Sequence, residues 1–299
     1  MKHIVNIGLI LLISANVSGQ QLTSSSFYDM QGSLHNPSMA GVNKHGMVGG
    51  SFRSMWSGVP GGPETQFLFG SFYLPNINSG LGAYLYNDVT GPTKRIGAQL
   101  AYAYQIQLKN EASFSLGIEA RLQQFSFDQA KLQQALGSND PVLGSTDTQF
   151  KADAGFGINY TAKKLQVGAS VSQLVQSKLD FYSGSYNRTE EGKLYRHYYL
   201  HANYKWRTDA NTEVIPNFLF IYLPNSPLEF QGGVRVEHKE QFFWGVGFRA
   251  HQSWMLSAGV HIKKKFTVGY SFDIFTTPLS TYDKGGNAHE VMLRYDFLK

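Results

Sequence analysis

Along most of the chain apolar side chains recur at every second position, and the residues between them are small or polar. In 113–122, Phe114, Leu116, Ile118, Ala120 and Leu122 alternate with Ser113, Ser115, Gly117, Glu119 and Arg121. Ile96, Ala98, Leu100, Tyr102, Tyr104 and Ile106 stand in the same way against Gly97, Gln99, Gln105 and Gln107. In the last segment Val291, Leu293, Tyr295 and Phe297 interleave with Met292, Arg294 and Asp296. A helix needs apolar residues three and four apart, which these segments lack. A strand sends successive side chains to opposite faces, so each segment reads as a strand with one greasy and one polar face. The reading gives about fourteen of them: 45–56, 64–75, 79–88, 94–107, 111–126, 149–160, 163–175, 193–206, 211–222, 227–238, 240–250, 253–263, 265–275 and 287–298. Segments 64–75 and 211–222 are the weakest, because Leu219 and Ile221 put apolar groups on both faces.

The connections carry a second periodicity. The long ones, 127–148, 176–192 and 276–286, are the fifth, seventh and thirteenth, whereas the even ones are tight: Leu108-Lys109-Asn110, Thr161-Ala162-Lys163, Arg207-Thr208-Asp209-Ala210, Lys239 and Lys263-Lys264-Lys265. Outer-membrane barrels alternate short periplasmic turns with longer outside loops. A soluble sandwich has no reason to do so. The expected fold is therefore an all-β, transmembrane, antiparallel up-and-down β-barrel of about fourteen strands with both termini periplasmic. Composition agrees: 31 Gly, 17 Tyr and 21 Phe suit strands and tight turns, and charged residues make up only 16%. The slightly negative mean hydropathy speaks against membrane helices but not against a barrel, which needs only alternate residues to be apolar.

The N-terminus reads as a secretory signal peptide. Lys2 and His3 precede a mostly apolar stretch from Ile4 to Val17, and Val17-Ser18-Gly19 offers small residues for cleavage before Gln20. The stretch is too short, and too interrupted by Asn6, Ser14 and Asn16, to serve as a membrane anchor. The organisation expected is a signal peptide at 1–19, a periplasmic segment at 20–44 and the barrel at 45–299, placed in the outer membrane. The absence of cysteine excludes disulfides, thiolate metal sites and a lipoprotein anchor. A net charge of +5 without a long basic tract gives no case for nucleic acid.

Few residue patterns suggest chemistry. Gly80-x-Gly82, Gly155-x-Gly157 and Gly245-x-Gly247 lie inside alternating strands, where glycine facing a crowded barrel interior explains them better than a dinucleotide loop. His197 and His201, four apart on a strand, are roughly 13 Å from each other and cannot share a metal. His289 and Glu290 are neighbours and point to opposite faces. A rim hydrolase would draw on His197, His201, His251 or His261 with a serine, yet nothing fixes a nucleophile beside a base. No catalytic, cofactor-binding or metal-binding residue is assigned, and the chain is read as not an enzyme. The polar face carries both signs, including Glu119, Arg121, Lys151, Asp153, Lys205, Glu229, Arg235, Glu237, Arg249, Asp273, Arg294 and Asp296, which suggests a lumen cross-linked by ion pairs and not a selective pore.

A more specific set of residues runs in order along the chain. Asn36-Pro37-Ser38-Met39-Ala40-Gly41 comes first. Arg53, Trp56-Ser57-Gly58 and Pro60-Gly61-Gly62-Pro63-Glu64-Thr65 follow, then Gly80-Leu81-Gly82 and Asn87-Asp88-Val89-Thr90-Gly91-Pro92. Near the end stand Gly269-Tyr270-Ser271-Phe272-Asp273 and His289-Glu290-Val291. In order and spacing this set resembles the PorP/SprF family of type IX secretion membrane proteins of Bacteroidota, over essentially the whole mature chain. The resemblance implies an outer-membrane barrel of the secretion and gliding machinery. Its partners would be a large secreted adhesin or its C-terminal domain, other type IX components including periplasmic peptidoglycan-associated proteins, and outer-membrane lipid. The family contributes no catalytic residues. The positions marked for partner contact or as family motif are Asn36, Pro37, Gly41, Arg53, Trp56, Gly58, Pro63, Asp88, Gly91, Asp273, His289 and Glu290. Ordinary turn chemistry for the Gly, Pro, Asn and Asp among them, and an interface anchor for Trp56, are equally open. Two other functions compete: a porin or hydrophobic-solute channel, and a barrel-rim lipid hydrolase.

Overall fold

The computed structural model describes residues 24–131, 147–179, 192–224, 226–276 and 287–297. Fourteen strands make the wall: β1 Gly46–Met55, β2 Glu64–Leu74, β3 Ser79–Thr90, β4 Thr93–Gln107, β5 Ser113–Phe127, β6 Asp147–Thr161, β7 Leu165–Ser172, β8 His197–Tyr204, β9 Thr212–Tyr222, β10 Glu229–His238, β11 Phe242–Arg249, β12 Ser253–Ile262, β13 Phe266–Phe275 and β14 Ala288–Phe297. Each pairs antiparallel with its neighbours in chain order. The first strand pairs with the last, from Gly46 opposite Phe297 to Met55 opposite Ala288, and β8 pairs with β9, so the sheet closes. Closure leaves no strand edge unpaired, which is the condition for a sheet to stand in hydrocarbon.

The alternation sorts as the sequence requires. Leu68, Leu100, Leu122 and Phe150 point outward and are 61, 67, 64 and 75% exposed, while Gln99 and Gln123, next to two of them, are buried inside. Apolar outside and polar inside is the reverse of a soluble protein, and it suits lipid around the wall. Strands of about ten residues, tilted, cross the apolar band. β4, β5 and β6 have 15 residues each and form a taller side of the wall. The even-numbered connections gather at one end. Three of them, at Asn110–Glu111, Lys239–Glu240 and Lys263–Lys264, hold both residues at positive φ, the hairpin geometry whose twist matches the strands. The signal-peptide segment 1–19 lies outside the described residues, as do most of the long odd connections. Outside β7 and β8, strand bounds differ from the sequence reading by only a few residues. β7 and β8 are shorter than expected at their odd-numbered connection.

A charge at mid-wall tests the lipid-facing assignment. Leu100→Arg is expected to lower folding stability in lipid vesicles by about 2–4 kcal/mol, and Ile106→Arg, on the same outward face near the even rim, by about 1 kcal/mol or less. Urea titration of the folded barrel measures both.

Candidate functional site

The segment before β1 does not stand apart from the barrel. The sequence suggests a separate periplasmic stretch at 20–44, but its described part is threaded through the lumen. Phe27, Gln31, Asn36, Ser38 and Ala40 are buried almost completely. Residues 24–26 lie beside the ends of β1, β13 and β14 nearest the odd connections, and the chain leaves at the even end through Lys44 and His45. Two short 3-10 turns, Gly32–Leu34 and Pro37–Met39, compact it. Asn36 caps the second: its Oδ1 accepts hydrogen bonds from the Ser38 N–H at 3.0 Å and the Ser38 hydroxyl at 2.6 Å. Proline at the first position of that turn has no N–H to leave unsatisfied. We call 24–45 the plug.

One polar cluster pins the start of the plug. Arg53 on β1 is 1% exposed and reaches Asp273 on β13 at 2.6 Å and Glu290 on β14 at 3.3 Å. Its guanidinium also donates to the Ser26 hydroxyl at 2.6 Å, which in turn donates to Asp273 at 2.7 Å. Glu290 accepts from the Ser25 hydroxyl at 2.6 Å and the Ser26 N–H at 2.7 Å. Arg249 on β11 lies 3.6 Å from both Asp273 and Glu229. The two serines therefore satisfy lone pairs that the ion pairs alone leave open. This matters because a buried pair is stable only when its remaining hydrogen-bonding capacity is met. Further along, Asp29 binds Arg235 on β10 at 2.7 Å, Tyr28 donates to Asn217 on β9, and Tyr84 on β3 donates to Gln31. The plug is tied to walls on both sides of the lumen.

The second half of the plug lies in a channel of glycines. A methyl group at Gly80 would sit 2.0 Å from the Ala40 carbonyl oxygen. One at Gly117 would be 2.2 Å from the Ser38 nitrogen, and one at Gly157 would be 2.0 Å from Asn36 Oδ1. At Gly168 the added group would meet His201 and Asn36 at 2.6 and 2.8 Å. No Cβ fits at these distances, so β3, β5, β6 and β7 present bare backbone where the plug presses closest. Gly41, at φ 67°, turns the chain between Gly80 and the Ser71 hydroxyl, which accepts its N–H at 2.8 Å. Asn36 Nδ2 then finds the Ile158 carbonyl and His201 Nε2, each at 3.0 Å.

Two apolar patches complete the seat. Phe27 and Met30 pack with inward-facing Phe67, Phe69, Tyr84, Phe243 and Met292. Tyr28 packs with Tyr199, Leu219, Ile221, Leu223 and Met255. The two-faced greasiness of segments 64–75 and 211–222 has its cause here: β2 and β9 carry apolar groups inward because the plug offers apolar groups to meet them.

The twelve marked positions divide. Asn36, Pro37, Gly41, Arg53, Asp273 and Glu290 meet at the plug and are buried, so they do not face an outside partner directly. Trp56, Gly58, Pro63, Asp88 and Gly91 cluster at the odd end. There the Trp56 N–H donates to the Asn287 carbonyl at 3.1 Å, the Gly91 N–H to the Gly61 carbonyl at 2.9 Å, and Thr65 to Asp88 at 2.7 Å. His289 faces outward, bonded to the Tyr270 hydroxyl at 2.7 Å. The sequence reading missed Ser25, Ser26, Phe27, Tyr28, Asp29 and Gln31. Their only signal was the apolar groups on the inward face of β2 and β9. Mixed-sign pairing of the lumen is seen in Arg121–Glu119, Arg235–Glu237 and Arg294–Asp296. Lys205 instead lies exposed beyond the end of β8. Among the described residues no group of acidic residues and histidines is arranged to hold a metal ion. His261 stands between Thr267 at 2.8 Å and Glu237 at 3.4 Å, but Thr267 is 2% exposed, so an ester cannot reach its hydroxyl from the rim.

Arg53→Ala strands Asp273 and Glu290 and is expected to cost about 3–5 kcal/mol in urea unfolding. Gly117→Val is expected to displace the plug while the wall persists. In this cysteine-free chain Ser38→Cys reports it: maleimide labels that thiol slowly in the parent background and fast with Gly117→Val. Equal slow rates would show that the glycine channel does not decide the seating.

The geometry agrees with what the chain is similar to. The crystal structure of the toluene transporter TbuX from Ralstonia pickettii matches with a TM-score of 0.52 at 10% identity, over 88% of this chain and 92% of that one. Acinetobacter baumannii outer membrane protein Omp33 matches with a TM-score of 0.48 at 8% identity, over 85% and 98% of the two chains. At 10% identity the TbuX match shows the outer-membrane barrel fold alone. No match is found among curated proteins. A family model described as "Type IX secretion system membrane protein PorP/SprF" matches residues 17–295.

Proposed function

The chain belongs to the PorP/SprF family of type IX secretion system membrane proteins, and we propose that within that machinery it works as a plugged barrel that acts by binding other proteins. It supports secretion or surface attachment of a large adhesin, or couples the machine to the outer membrane. The observation that carries this reading is the plug. A segment tied to the wall by buried ion pairs, glycine contacts and two apolar patches occupies the middle of the lumen, where a conducting channel keeps open space. Function then falls to the two ends. The odd end, with Trp56, Gly58 and Gly91, is the surface for an adhesin or its C-terminal domain, and the even end, in the periplasm, is the surface for machine components. Cleavage after Gly19 and entry by the secretory route belong to the same proposal. Chemistry at the rim finds no support in the buried surroundings of His197, His201 and His261.

Two measurements test it. In planar bilayers the full chain is expected to be silent, whereas a variant lacking residues 24–43 behind an intact signal peptide conducts. Steady conductance by the parent would favour the porin or hydrophobic-solute channel instead. In mild detergent the barrel is expected to co-purify with other type IX components, and recovery of the barrel alone under conditions that keep the machine intact would overturn the interaction role.

A further inference from the structure

Where the plug leaves the barrel at the even end it does not fill the mouth. A cavity of about 420 Å³ remains between plug residues 29–45, the β6–β7 turn and the end of β8. That volume is in the range of ligand pockets, roughly 300–1,000 Å³. Its lining is mixed: Met30, Met39, Met47 and Ile215 give it an adaptable apolar floor, beside polar groups that include Asp29 and Glu237, both paired with Arg235. Thioether side chains repack around differently shaped partners at little cost.

The rim is cationic and unbalanced. Arg235 is taken by Asp29 and Glu237, and Arg294 by Asp296. Lys163, Lys164 and Lys205 also line the cavity, are exposed, and among the described residues have no carboxylate within ion-pair distance. Lys44 meets only the Gln107 side-chain oxygen, at 3.3 Å. The turns are fixed to each other, because the Lys205 N–H donates to the Lys164 carbonyl at 2.7 Å. The three free ammonium groups are thus carried on joined backbone. Two acidic residues on neighbouring even turns are turned to other partners. Glu240 is held below its usual range by its hydrogen bond to Lys264, and Asp209 by the backbone N–H of Asn211. Glu240 is engaged by Lys264 of the adjacent turn, and Asp209 within its own turn.

We propose that this vestibule is a docking site for an acidic peptide segment of a partner protein, which places an apolar side chain on the methionine floor and its carboxylates among Lys163, Lys164 and Lys205. An inorganic anion fits less well. It would use the lysines and leave the apolar floor in water, and no set of donors converges on one point as a phosphate cage requires. Lys239, Lys263 and Lys265 on neighbouring even turns extend the positive field and would steer an acidic partner to this end. The inference deepens the protein-binding role proposed above by giving the chemistry of one contact, and it rests on that role.

The test uses the full chain folded in a neutral detergent and a fluorescent decapeptide alternating glutamate with leucine. Its binding is followed by anisotropy. The triple variant Lys163→Glu, Lys164→Glu, Lys205→Glu is expected to weaken binding by about tenfold or more, and raising salt from about 50 to 300 mM to weaken it several-fold in the parent. The double variant Lys263→Glu, Lys265→Glu, at the same end but away from the cavity, is expected to stay within about threefold of the parent at moderate salt, as surface charges beyond about one Debye length are screened. Circular dichroism confirms that each variant is folded. The proposal is overturned if the triple variant binds like the parent, or if the double variant loses as much as the triple. It also fails if oligoglutamate of equal charge, or inorganic phosphate, competes as well as the leucine-containing peptide. Co-purification with secretion components, persisting after any of these failures, would locate the protein's contact elsewhere and leave its interaction role intact.

Discussion

Fourteen strands enclose more room than their own inward side chains fill, and a charge inside that room must find partners or water. The Arg53 guanidinium is where this constraint bears hardest. It sits between β13 and β14 with almost no exposure, in contact with two carboxylates whose remaining lone pairs are met by Ser25 and Ser26 of the plug, with Ser271 of the wall also donating to Asp273. Wall and plug are therefore not separable parts. The strands bring the three charged residues together, with Arg53 opposite Glu290, Glu290 opposite Ser271, and Asp273 two residues on from Ser271 on the same face, and the plug adds to their hydrogen bonding. The remaining plug contacts, from Asp29 to Gly41, extend the same bargain along the lumen.

Much of the barrel was readable in the sequence because its physics is local. Side-chain alternation follows from strand geometry, and loop length follows from which end of the wall a turn closes. Both survive without knowledge of any distant contact. The plug was not readable in that way. Asn36-Pro37-Ser38-Met39-Ala40-Gly41 has no strand period and no helix period, and it is ordered only because Gly80, Gly117, Gly157 and Gly168, far away in sequence, leave space for it. The hints were present but pointed at no address. Leu219 and Ile221 on a face that should be polar, and glycines in the middle of good strands, each state that something lies against them without saying what. Arg53, Asp273 and Glu290 could be singled out by motif, but the reason they belong together is their placement on β1, β13 and β14, which meet only when the sheet closes.

That placement also changes what the marked residues mean. A motif made of polar residues in an outer-membrane protein invites a reading as a contact surface. Here the polar motif residues split by depth. Those deep in the lumen hold the plug, and those at the odd end, from Trp56 to Gly91, shape two connections against each other through backbone bonds. Neither group needs an outside partner to explain its geometry, which moves the search for partners to what the fold leaves unsatisfied.

Among the described residues, Lys163, Lys164 and Lys205 at the even end have no carboxylate within ion-pair distance. The interior balances its charges pair by pair, Arg121 with Glu119, Arg294 with Asp296, Arg235 with Asp29 and Glu237. If cationic turns were only a by-product of keeping a surface soluble, their lysines would be spread without regard to the cavity, and the acidic residues present would sit among them. Instead Lys163, Lys164 and Lys205 ring an opening with methionines at its floor, while Glu240 is held by Lys264 of the adjacent turn and Asp209 within its own. The plug forms one wall of that opening through Met30, Met39 and Lys44. A ligand seated there would touch both the wall and the plug, and the plug is tied in turn to the Arg53 cluster near the other end. Contact at the even mouth is thereby mechanically connected to the charge cluster that holds the lumen shut. That connection gives a plugged barrel a way to sense a partner without opening a channel through the membrane.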